Sequence, residues 1–257
     1  MVRAYRNRPA GARSAGRLES PFRQPSPLAA GPPAMTPGFR IFPMPQRPSR
    51  ALVAALAEMV TPHLSDNMGR LCGAAASLRP MHRGGKLAGP AFTVRVAPGD
   101  NLMVHKAIDL AEPGDVLVID AGGALEQAII GEIMASWAAK RGVAGFVIDG
   151  AIRDVGAISG GSFPVYARGV THRGPYKNGP GEINVPVAIG GMVVQPADII
   201  VGDEDGVLAV PQADAEAVLA AAREQRKRED ATLKAIAAGT LDRKWVDETL
   251  RARGCSP

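Results

Sequence analysis

The stretch GEIMASWAAKRGVAGFVIDGAIRDVGA, residues 131–157, decides the fold. Its first half has the composition of a helix, and the segment AGFVID that follows is a buried apolar strand ending in an acid. Beyond Gly150 the chain reaches an adjacent arginine and aspartate, Arg153 and Asp154, and another acid, Glu132, precedes the arginine by twenty-one positions. A charged pair just past a buried strand lies where ligands collect in open α/β sheets.

Helices and strands alternate on either side of this stretch, which predicts a mixed α/β domain. Ser49 is the predicted N-cap of the first helix, because its side chain can accept a hydrogen bond from a first-turn amide. The elements expected before residue 150 are a helix over 50–60, a strand at about 91–97, a helix over 101–111, a strand over 114–120, a helical region over 124–141 interrupted near Gly131, and a strand over 142–149. Beyond Asp154 we expect short strands, a long helix over 213–238 and a short helix after Leu241.

Two segments repeat one pattern: PGDVLVID at 113–120 and PADIIVGD at 196–203 share Pro, Asp, Val and Asp at the same four offsets. Each places a Pro-x-Asp turn before a buried strand and an acid after it. Two distant copies do not make a solenoid, because repeat architectures stack several neighbouring units. They indicate two similar strand starts within one barrel-like β core.

The composition is that of a globular protein, with 46% of the 257 residues hydrophobic and 21% charged. No apolar run approaches the roughly 18 residues of a membrane span, so we expect no membrane partner. Aromatic residues make up 4%, which is few for stacking on single-stranded nucleic acid.

Cys72 and Cys255 form no CxxC and no zinc-like spacing, which favours reduced thiols and a cytoplasmic location.

The excess basic charge is confined to the N-terminal extension. Residues 1–34 contain six arginines and one acid, Glu19, which accounts for the entire formal net charge of +5. The rest of the chain offers no concentrated basic face for a nucleic acid. Residues 1–46 are rich in Arg, Pro, Gly, Ser and Ala without periodicity, which predicts disorder, with a transit peptide or a reading frame extended upstream of Met35 as alternatives. We expect a single domain over 47–257.

The residue types around Arg153 and Asp154 fit a site for a metal and an anion. An aspartate at a strand end can hold a hard cation such as Mg²⁺, and an arginine can bind a carboxylate and stabilise developing negative charge. Gly131 lets backbone amides approach a ligand, and a helix that restarts there offers free N–H groups to a carboxylate. The structural alternatives are an acid in a first helical turn beside an exposed arginine, and an ordinary helix glutamate. A direct ion pair between adjacent residues is not expected, because such neighbours do not face each other on a helix.

The pattern Gly-acid, twenty residues, Arg-Asp resembles the signature of the 4-hydroxy-4-methyl-2-oxoglutarate aldolases. These are metal-dependent class II pyruvate aldolases, grouped with the regulator of ribonuclease activity A. The matching residues are Gly131, Glu132, Arg153 and Asp154. Further blocks resemble the same family and extend the likeness over residues 50–250: PGDNLMVHKAIDLAEPGDVLVIDA, RGPYKNGPGEINVPVAIGGMVVQPADIIVGDEDGVLAVP and REDATLKAIAAG. The resemblance implies an RraA-like swivelling β/β/α domain with a long C-terminal helix, assembled into homotrimers or homohexamers with active sites between subunits.

The resemblance also implies a role for each residue of the signature. Asp154 is the direct ligand of a divalent metal, Mg²⁺ or Mn²⁺, and Glu132 stands where the family has an aspartate that holds metal-bound water. Arg153 binds the substrate and steadies its enolate. The backbone amides from Gly131 to Ile133 bind the pyruvate carboxylate.

Two residues outside the signature enter by the same resemblance. Asn101 matches an asparagine that helps to position the proton-transfer water, and its alternative role is that of an N-cap. Glu229 matches a glutamate from a neighbouring subunit. The chain departs from the family at Glu132, which is one methylene longer than the usual aspartate, and at Ala157, where an acid is usual. Loss of a supporting carboxylate can weaken metal binding by ~10–100-fold.

These implications together predict a carbon–carbon lyase that acts on a small 2-oxo acid. The expected reaction is cleavage of a 4-hydroxy-2-oxo acid, such as 4-hydroxy-4-methyl-2-oxoglutarate, to pyruvate through a metal-stabilised enolate. Oxaloacetate decarboxylation shares that enolate and is the expected side activity, and no Schiff-base lysine is needed. The distal half of the substrate has five candidate partners, with an ordered interface loop and a helix-packing histidine as alternatives: His105, His172, Arg173, Tyr176 and Lys177.

Two other functions compete with this prediction. A non-catalytic, ring-shaped regulator that binds a ribonuclease or another protein uses the same fold, and Ala157 favours it slightly. A menaquinone methyltransferase is disfavoured, because no strand leads into a GxGxxG-like turn followed by an acid at the end of the next strand.

Overall fold

The computed structural model describes residues 36–256, which form twelve strands and seven helices. The strands are β1 (Phe39–Ile41), β2 (Arg79–Pro80), β3 (Leu87–Val96), β4 (Val116–Asp120), β5 (Ala128–Ile130), β6 (Gly145–Ile152), β7 (Val165–Val170), β8 (Gly181–Ile183), β9 (Val187–Ile189), β10 (Met192–Val194), β11 (Ile199–Gly202) and β12 (Val207–Val210). The helices are α1 (Arg50–Ala57), α2 (Thr61–Asp66), α3 (Leu102–Leu110), α4 (Glu132–Lys140), α5 (Val155–Gly160), α6 (Ala215–Ala237) and α7 (Lys244–Ala252).

Ten of these strands form one mixed sheet with a parallel centre. Seven of them follow one another in the order β1-β8-β3-β4-β6-β7-β2, while β5 pairs with β6, β11 pairs with β3, and β12 pairs with β11. The strands β3, β4, β6 and β7 run parallel, and α3, α4 and α5 lie in the connections between them. The predicted alternation of helices and strands is therefore confirmed, and the carboxyl ends of the parallel strands meet at one edge.

Both faces of the parallel centre are buried, because an apolar cluster covers each of them. Side chains of a strand alternate between the two faces. On β4, Val116 and Val118 pack in one apolar cluster with residues of α1, α2 and α6. Leu117 and Ile119 pack in a second cluster with residues of α3 and α4. This two-sided burial explains why the strand sequences are apolar throughout.

The two Pro-x-Asp segments start two strands that pair with the same neighbour. The strand β4 pairs parallel with β3, and β11 pairs antiparallel with it. Asp115 accepts a hydrogen bond from the amide of Glu112 at 2.9 Å, and Asp198 accepts one from the amide of Gln195 at 2.8 Å. The repeated pattern thus encodes one turn, in which the aspartate side chain binds the amide three residues before it.

Two predicted boundaries are wrong, one of a helix and one of the domain. Residues 128–130 are not helical: they form β5, which pairs with the end of β6 through Ala128 and Ile130, and α4 begins only after Gly131. The domain begins before residue 47, because β1 pairs with β8 and Arg40 forms an ion pair with Glu182. Both boundaries are determined by pairing with strands that are distant in the sequence, and the local sequence carries no signal of that pairing. Residues 1–35, which carry most of the predicted disorder, lie outside the described range.

The long C-terminal helix is confirmed as α6, with 23 residues. Its first half packs on the domain, and its second half is largely exposed. From residue 36 to residue 256, no helix has both the length and the apolar character needed to cross a membrane.

Candidate active site

A cavity of about 180 Å³ opens at the carboxyl ends of β5 and β6. Five parts of the chain form it: the start of α3, the end of β5, the start of α4, the residue after β6 and the β7–β8 loop, residues 171–180. The lining residues are Asn101, His105, Ile129, Ile130, Gly131, Ile133, Met134, Arg153, Pro175 and Lys177. Four of the residues predicted for the site, Asn101, Gly131, Ile133 and Arg153, therefore share one cavity.

Gly131 allows the chain to pass very close to Asp154. The amide of Glu132, the first residue of α4, donates a hydrogen bond to Asp154 Oδ2 at 3.0 Å. A Cβ on residue 131 would lie 2.2 Å from the same oxygen, so only glycine fits without displacing the carboxylate. The amides of Ile133 and Met134 belong to the first turn of α4 and have no acceptor within the helix. They are available to an anion, whereas the Glu132 amide, which was also predicted to bind substrate, is already engaged.

Arg153 and Asp154 contact each other, contrary to the prediction for adjacent residues. Asp154 adopts a left-handed conformation, with φ 56° and ψ 35°, between β6 and α5. This turn brings Arg153 Nε to 3.6 Å from Asp154 Oδ2, with both side chains 42% exposed. A left-handed aspartate is uncommon, and such strain is typical of functional sites. The half-solvated pair leaves the guanidinium free to bind a further anion.

Asn101 is buried, with 2% exposure, and occupies the N-cap position of α3 without capping it. Its Nδ2 donates to the carbonyl of Ile129 at 2.8 Å and contacts Met134 Sδ at 3.3 Å. Its Oδ1 is buried and has no hydrogen-bond partner within the described range. Asn101 lines the cavity. Because buried acceptors are nearly always paired, its Oδ1 is a candidate partner for a water or a ligand hydroxyl.

The side chain of Glu132 is exposed and lines a different cavity, also of about 180 Å³, beside Ser136 and Ala157. Glu229 lies on α6, where it contacts His63 Nε2 at 2.6 Å and Gln225 Nε2 at 2.9 Å. The hydrogen bonds from Gln225 and His63 lower the pKa of Glu229. Neither glutamate side chain lines the cavity that contains Arg153 within one protomer.

Of the five candidates for the distal half of the substrate, only His105 and Lys177 line the cavity. Burial lowers the pKa of His105, the charge of Lys177 lowers it further, and Asp109 opposes the shift. The side chains of the other three are exposed on the β7–β8 loop outside the cavity lining: His172, Arg173 and Tyr176.

The residues present fit Mg²⁺ better than a metal that needs several protein ligands. No three His, Cys, Asp or Glu residues cluster as a metal site between residues 36 and 256. Asp154 therefore offers a single carboxylate, whose Oδ1 has no hydrogen-bond donor in that range. Mg²⁺ typically keeps several waters and binds one or two carboxylates plus substrate oxygens, whereas structural zinc sites take four protein ligands.

Asp100 was missed from the sequence, although it precedes Asn101 at the start of α3. It is 3% exposed and accepts hydrogen bonds from the amides of Leu102, Asn178 and Gly179. It thereby joins α3 to the β7–β8 loop, two of the parts that form the cavity. An aspartate just before a predicted helix was the available signal, since such residues accept hydrogen bonds from helix-start amides.

Comparison with known proteins places this architecture among several relatives. The family model described as RraA-like, Aldolase/RraA, matches residues 61–209. A Halalkalibacterium halodurans protein named "Putative 4-hydroxy-4-methyl-2-oxoglutarate aldolase" is 43% identical over 173 residues, which cover 67% of this chain and 82% of that protein. The crystal structure of an uncharacterized Pseudomonas syringae protein is 28% identical, with a TM-score of 0.69 over 76% of this chain and 96% of that one. A Streptomyces coelicolor member of the RNase ES inhibitor RraA protein family is 27% identical, with a TM-score of 0.66 over 72% of this chain and 96% of that one.

Proposed function

Since this chain belongs to the RraA-like, Aldolase/RraA family, we propose that it is a divalent-metal-dependent pyruvate aldolase. Its substrate is a 4-hydroxy-2-oxo acid such as 4-hydroxy-4-methyl-2-oxoglutarate, and decarboxylation of oxaloacetate is a side activity. The observation that carries the proposal is the cavity shared by Arg153, the start of α4 and the unpaired Asn101 Oδ1, with Asp154 against Arg153. A binding surface for a protein needs no such arrangement.

The residues of the cavity divide the work of binding and charge stabilisation. The carboxylate of the 2-oxo acid binds the free amides of Ile133 and Met134 and the guanidinium of Arg153. A water takes the proton of the C4 hydroxyl, and the C4–O bond becomes a carbonyl as the C3–C4 bond breaks. The electron pair of that bond passes into the C2–C3 enolate, and the charge on the ketone oxygen is stabilised by Arg153. A water that donates a hydrogen bond to Asn101 Oδ1 is placed to protonate C3, which yields pyruvate.

Asp154 would hold a Mg²⁺ or Mn²⁺ ion directly, with Glu132 acting through water after its exposed side chain turns towards the carboxylate. Such an ion supplies a Lewis acid that draws electrons from the 2-oxo group. Ala157 removes a supporting carboxylate, so we expect a higher metal requirement than in relatives that have an acid there.

The proposed function is tested by pyruvate release from oxaloacetate and from 4-hydroxy-4-methyl-2-oxoglutarate. We expect activity with Mg²⁺ or Mn²⁺, its loss on adding EDTA, and a loss of at least ~100-fold in Asp154→Ala. Ser136→Ala is the control, because Ser136 is an exposed polar residue in the middle of α4 that does not line the cavity with Arg153. Pyruvate release no faster than with metal alone, or unchanged by Asp154→Ala, contradicts the proposal.

We also propose a homotrimer or homohexamer whose site is completed by Glu229 of a neighbour. Ile133 is 80% exposed beside the cavity, and Trp137, one turn further on α4, is half-exposed, which suits a covering subunit. Light scattering gives the oligomeric state. If Glu229 acts across subunits, mixing the inactive variants Asp154→Ala and Glu229→Ala restores part of the activity. We propose a cytoplasmic location, because two cysteines without a CxxC or zinc-like spacing are typical of a protein from a reducing compartment.

The alternative function is a regulator that binds a ribonuclease. The likeness to the Streptomyces coelicolor protein named as an RNase ES inhibitor family member favours it, as does Ala157. Direct binding to a ribonuclease E-type enzyme, with no metal-dependent pyruvate release, would support this reading.

A further inference from the structure

One face of α6 continues beyond the part of the domain on which the helix packs. Its residues recur every three or four positions, as expected for a single stripe of a helix: Val218, Ala222, Gln225, Glu229, Leu233 and Ile236. Val218 and Ala222 are buried in the domain, whereas Leu233 and Ile236 are more than half exposed. Exposed apolar residues in such a stripe suit a covering subunit, in agreement with the proposed oligomer. Glu229 lies at the boundary between the buried and the exposed parts.

The carboxylate of Glu229 is held from within its own protomer. His63, on α2, places Nε2 2.6 Å from Glu229 Oε2, and Gln225 Nε2 donates to Glu229 Oε1 at 2.9 Å. Asn67 in turn donates to Gln225 Oε1 at 2.7 Å, which fixes the orientation of that amide. The side chain of Glu229 is half-exposed. Because an ionised carboxylate accepts about four hydrogen bonds, both oxygens keep acceptor sites for a group outside the protomer.

Within residues 36–256, the imidazole of His63 makes one hydrogen bond, and Glu229 is its partner. The residue is 9% exposed, and its Nδ1 is buried without a partner in the same range. Because an unpaired buried polar atom costs stability, an apolar side chain would suit the packing of α2 against α6 better than this imidazole. The hydrogen bond to the carboxylate is therefore what distinguishes His63 from a packing residue.

We infer that His63 is a positioning residue for the active site of the neighbouring subunit, and that it acts through Glu229. This inference rests on the proposed function, in which Glu229 completes the site of a neighbour. His63 and Gln225 each bind one oxygen of the carboxylate, so its remaining acceptor sites face away from the protomer that carries it. Without His63 the carboxylate keeps its charge but turns to other rotamers, which weakens its contribution to the neighbour's site.

The first test measures pyruvate release from oxaloacetate with Mg²⁺ in variants of His63. His63→Leu has no hydrogen-bond donor, so we expect kcat to fall by about 10–100-fold while KM stays within about threefold. His63→Gln can place an N–H near the position of Nε2, and it should keep kcat within about threefold of the wild type. His63→Asn is too short to reach Glu229 and replaces His63→Leu if that variant does not assemble.

Arg226→Met is the matched control for these variants. It removes a hydrogen bond of 3.5 Å from α6 to the carbonyl of Glu58 without touching Glu229, and it should leave kcat unchanged. If His63 only packs α2 against α6, His63→Leu lowers Tm, and the folded protein keeps the kcat of the wild type. That result overturns the inference.

Mixed oligomers show which subunit His63 serves. In the proposed assembly, each site combines Asp154 of one subunit with Glu229 and His63 of its neighbour. Co-expression of Asp154→Ala with His63→Leu in equal amounts therefore leaves all three residues intact in about a quarter of the sites, and activity is restored. Co-expression of Glu229→Ala with His63→Leu leaves no intact site and restores nothing. The opposite pattern would mean that His63 acts on the site of its own subunit, and the inference would be wrong.

Mn²⁺ binding separates this inference from the proposed function, because it requires no turnover. Electron paramagnetic resonance measures free Mn²⁺ beside the wild-type protein, Glu229→Ala, His63→Leu and the double variant. We expect each single substitution to weaken Mn²⁺ binding by up to about 10–100-fold, and the double variant to bind no more weakly than Glu229→Ala. A wild-type protein that binds Mn²⁺ in this pattern but releases no pyruvate retains the positioning role and loses the aldolase.

Two outcomes refute the inference and leave the aldolase in place. In the first, the wild-type protein releases pyruvate, and His63→Leu matches it in both turnover and Mn²⁺ binding. In the second, Glu229→Ala changes neither measurement, so His63 has no functional carboxylate to position.

Discussion

Substituting Gly131 by alanine tests the geometry of the site with one methyl group. The new Cβ would lie 2.2 Å from Asp154 Oδ2, 3.0 Å from Arg153 Cγ and 3.1 Å from Arg153 Nε. The backbone is no obstacle, because φ −142° and ψ −166° form an extended conformation that alanine adopts readily. The perturbation is therefore confined to the aspartate and the arginine that face residue 131.

The expected loss follows from these distances. Because non-bonded heavy atoms sit at about 3.5 Å, Asp154 Oδ2 must move by about 1 Å, and its hydrogen bond with the Glu132 amide is lost. A displacement of about 1 Å in a catalytic group can reduce the rate by about 100-fold. The expected loss of stability is smaller, about 1 kcal/mol or 2–4 °C in Tm, because the half-exposed carboxylate regains water.

The assay is kcat/KM for pyruvate release from oxaloacetate with Mg²⁺, together with thermal unfolding. Gly156→Ala is the matched control: it makes the same substitution two residues after Asp154, where a Cβ meets nothing within 4 Å. We expect the control to keep kcat/KM within about twofold of wild type, since substitutions that create no new contact rarely have large effects. The reasoning is refuted if Gly131→Ala is as active as Gly156→Ala.

Three further outcomes are expected. Arg153→Lys keeps the charge but loses the planar guanidinium, which can donate two parallel hydrogen bonds to a carboxylate. The value of kcat/KM for pyruvate release should therefore fall by about 10–100-fold without a change in Tm. The KM for oxaloacetate should decrease as the pH falls below about 6.5, because protonation of His105 adds a positive charge to the cavity that attracts the anionic substrate. Burial and the charge of Lys177 lower the pKa of His105, and Asp109 opposes this shift. Arg47→Met leaves the buried carboxylate of Asp115 without its two 2.8 Å hydrogen bonds, so Tm should fall by about 4–8 °C while kcat is unchanged.

The local sequence correctly predicted those elements that depend on helix capping and on the hydrophobic pattern of the strand itself. The Ser49 cap is present, with its hydroxyl accepting from the Leu52 amide, and the apolar strands β4 and β6 lie where their composition placed them. The short run Ala128–Ile130 was misassigned, because three apolar residues suit a helix or a strand equally. Its pairing with β6 decides the outcome, and that pairing is a tertiary property.

The candidate partners of the distal half of the substrate show the same limit. His105, Arg173 and Lys177 are equally plausible anion ligands by residue type, and nothing in the loop sequence ranks them. The selection depends on the path of the β7–β8 loop, which Asp100 fixes through hydrogen bonds to residues 78 and 79 positions away in the chain. Contacts at that separation have no local signal, so a single sequence can propose the candidates but cannot choose among them.

The spacing between Gly131 and Arg153 has a physical origin in the sheet. Ile130 of β5 and Ile152 of β6 are register partners, so the next residues of the two strands, Gly131 and Arg153, are neighbours at the sheet edge. The chain between them is one crossover: α4 runs back from this edge, and β6 returns to it. The crossover must have the length that brings β6 back level with the end of β5. A residue inserted within α4 or β6 would rotate the helix or shift the strand register and separate the Glu132 amide from Asp154. The twenty residues between Glu132 and Arg153 therefore reflect the length of this crossover. The chemistry of the site requires only that the two ends of the crossover meet at the sheet edge.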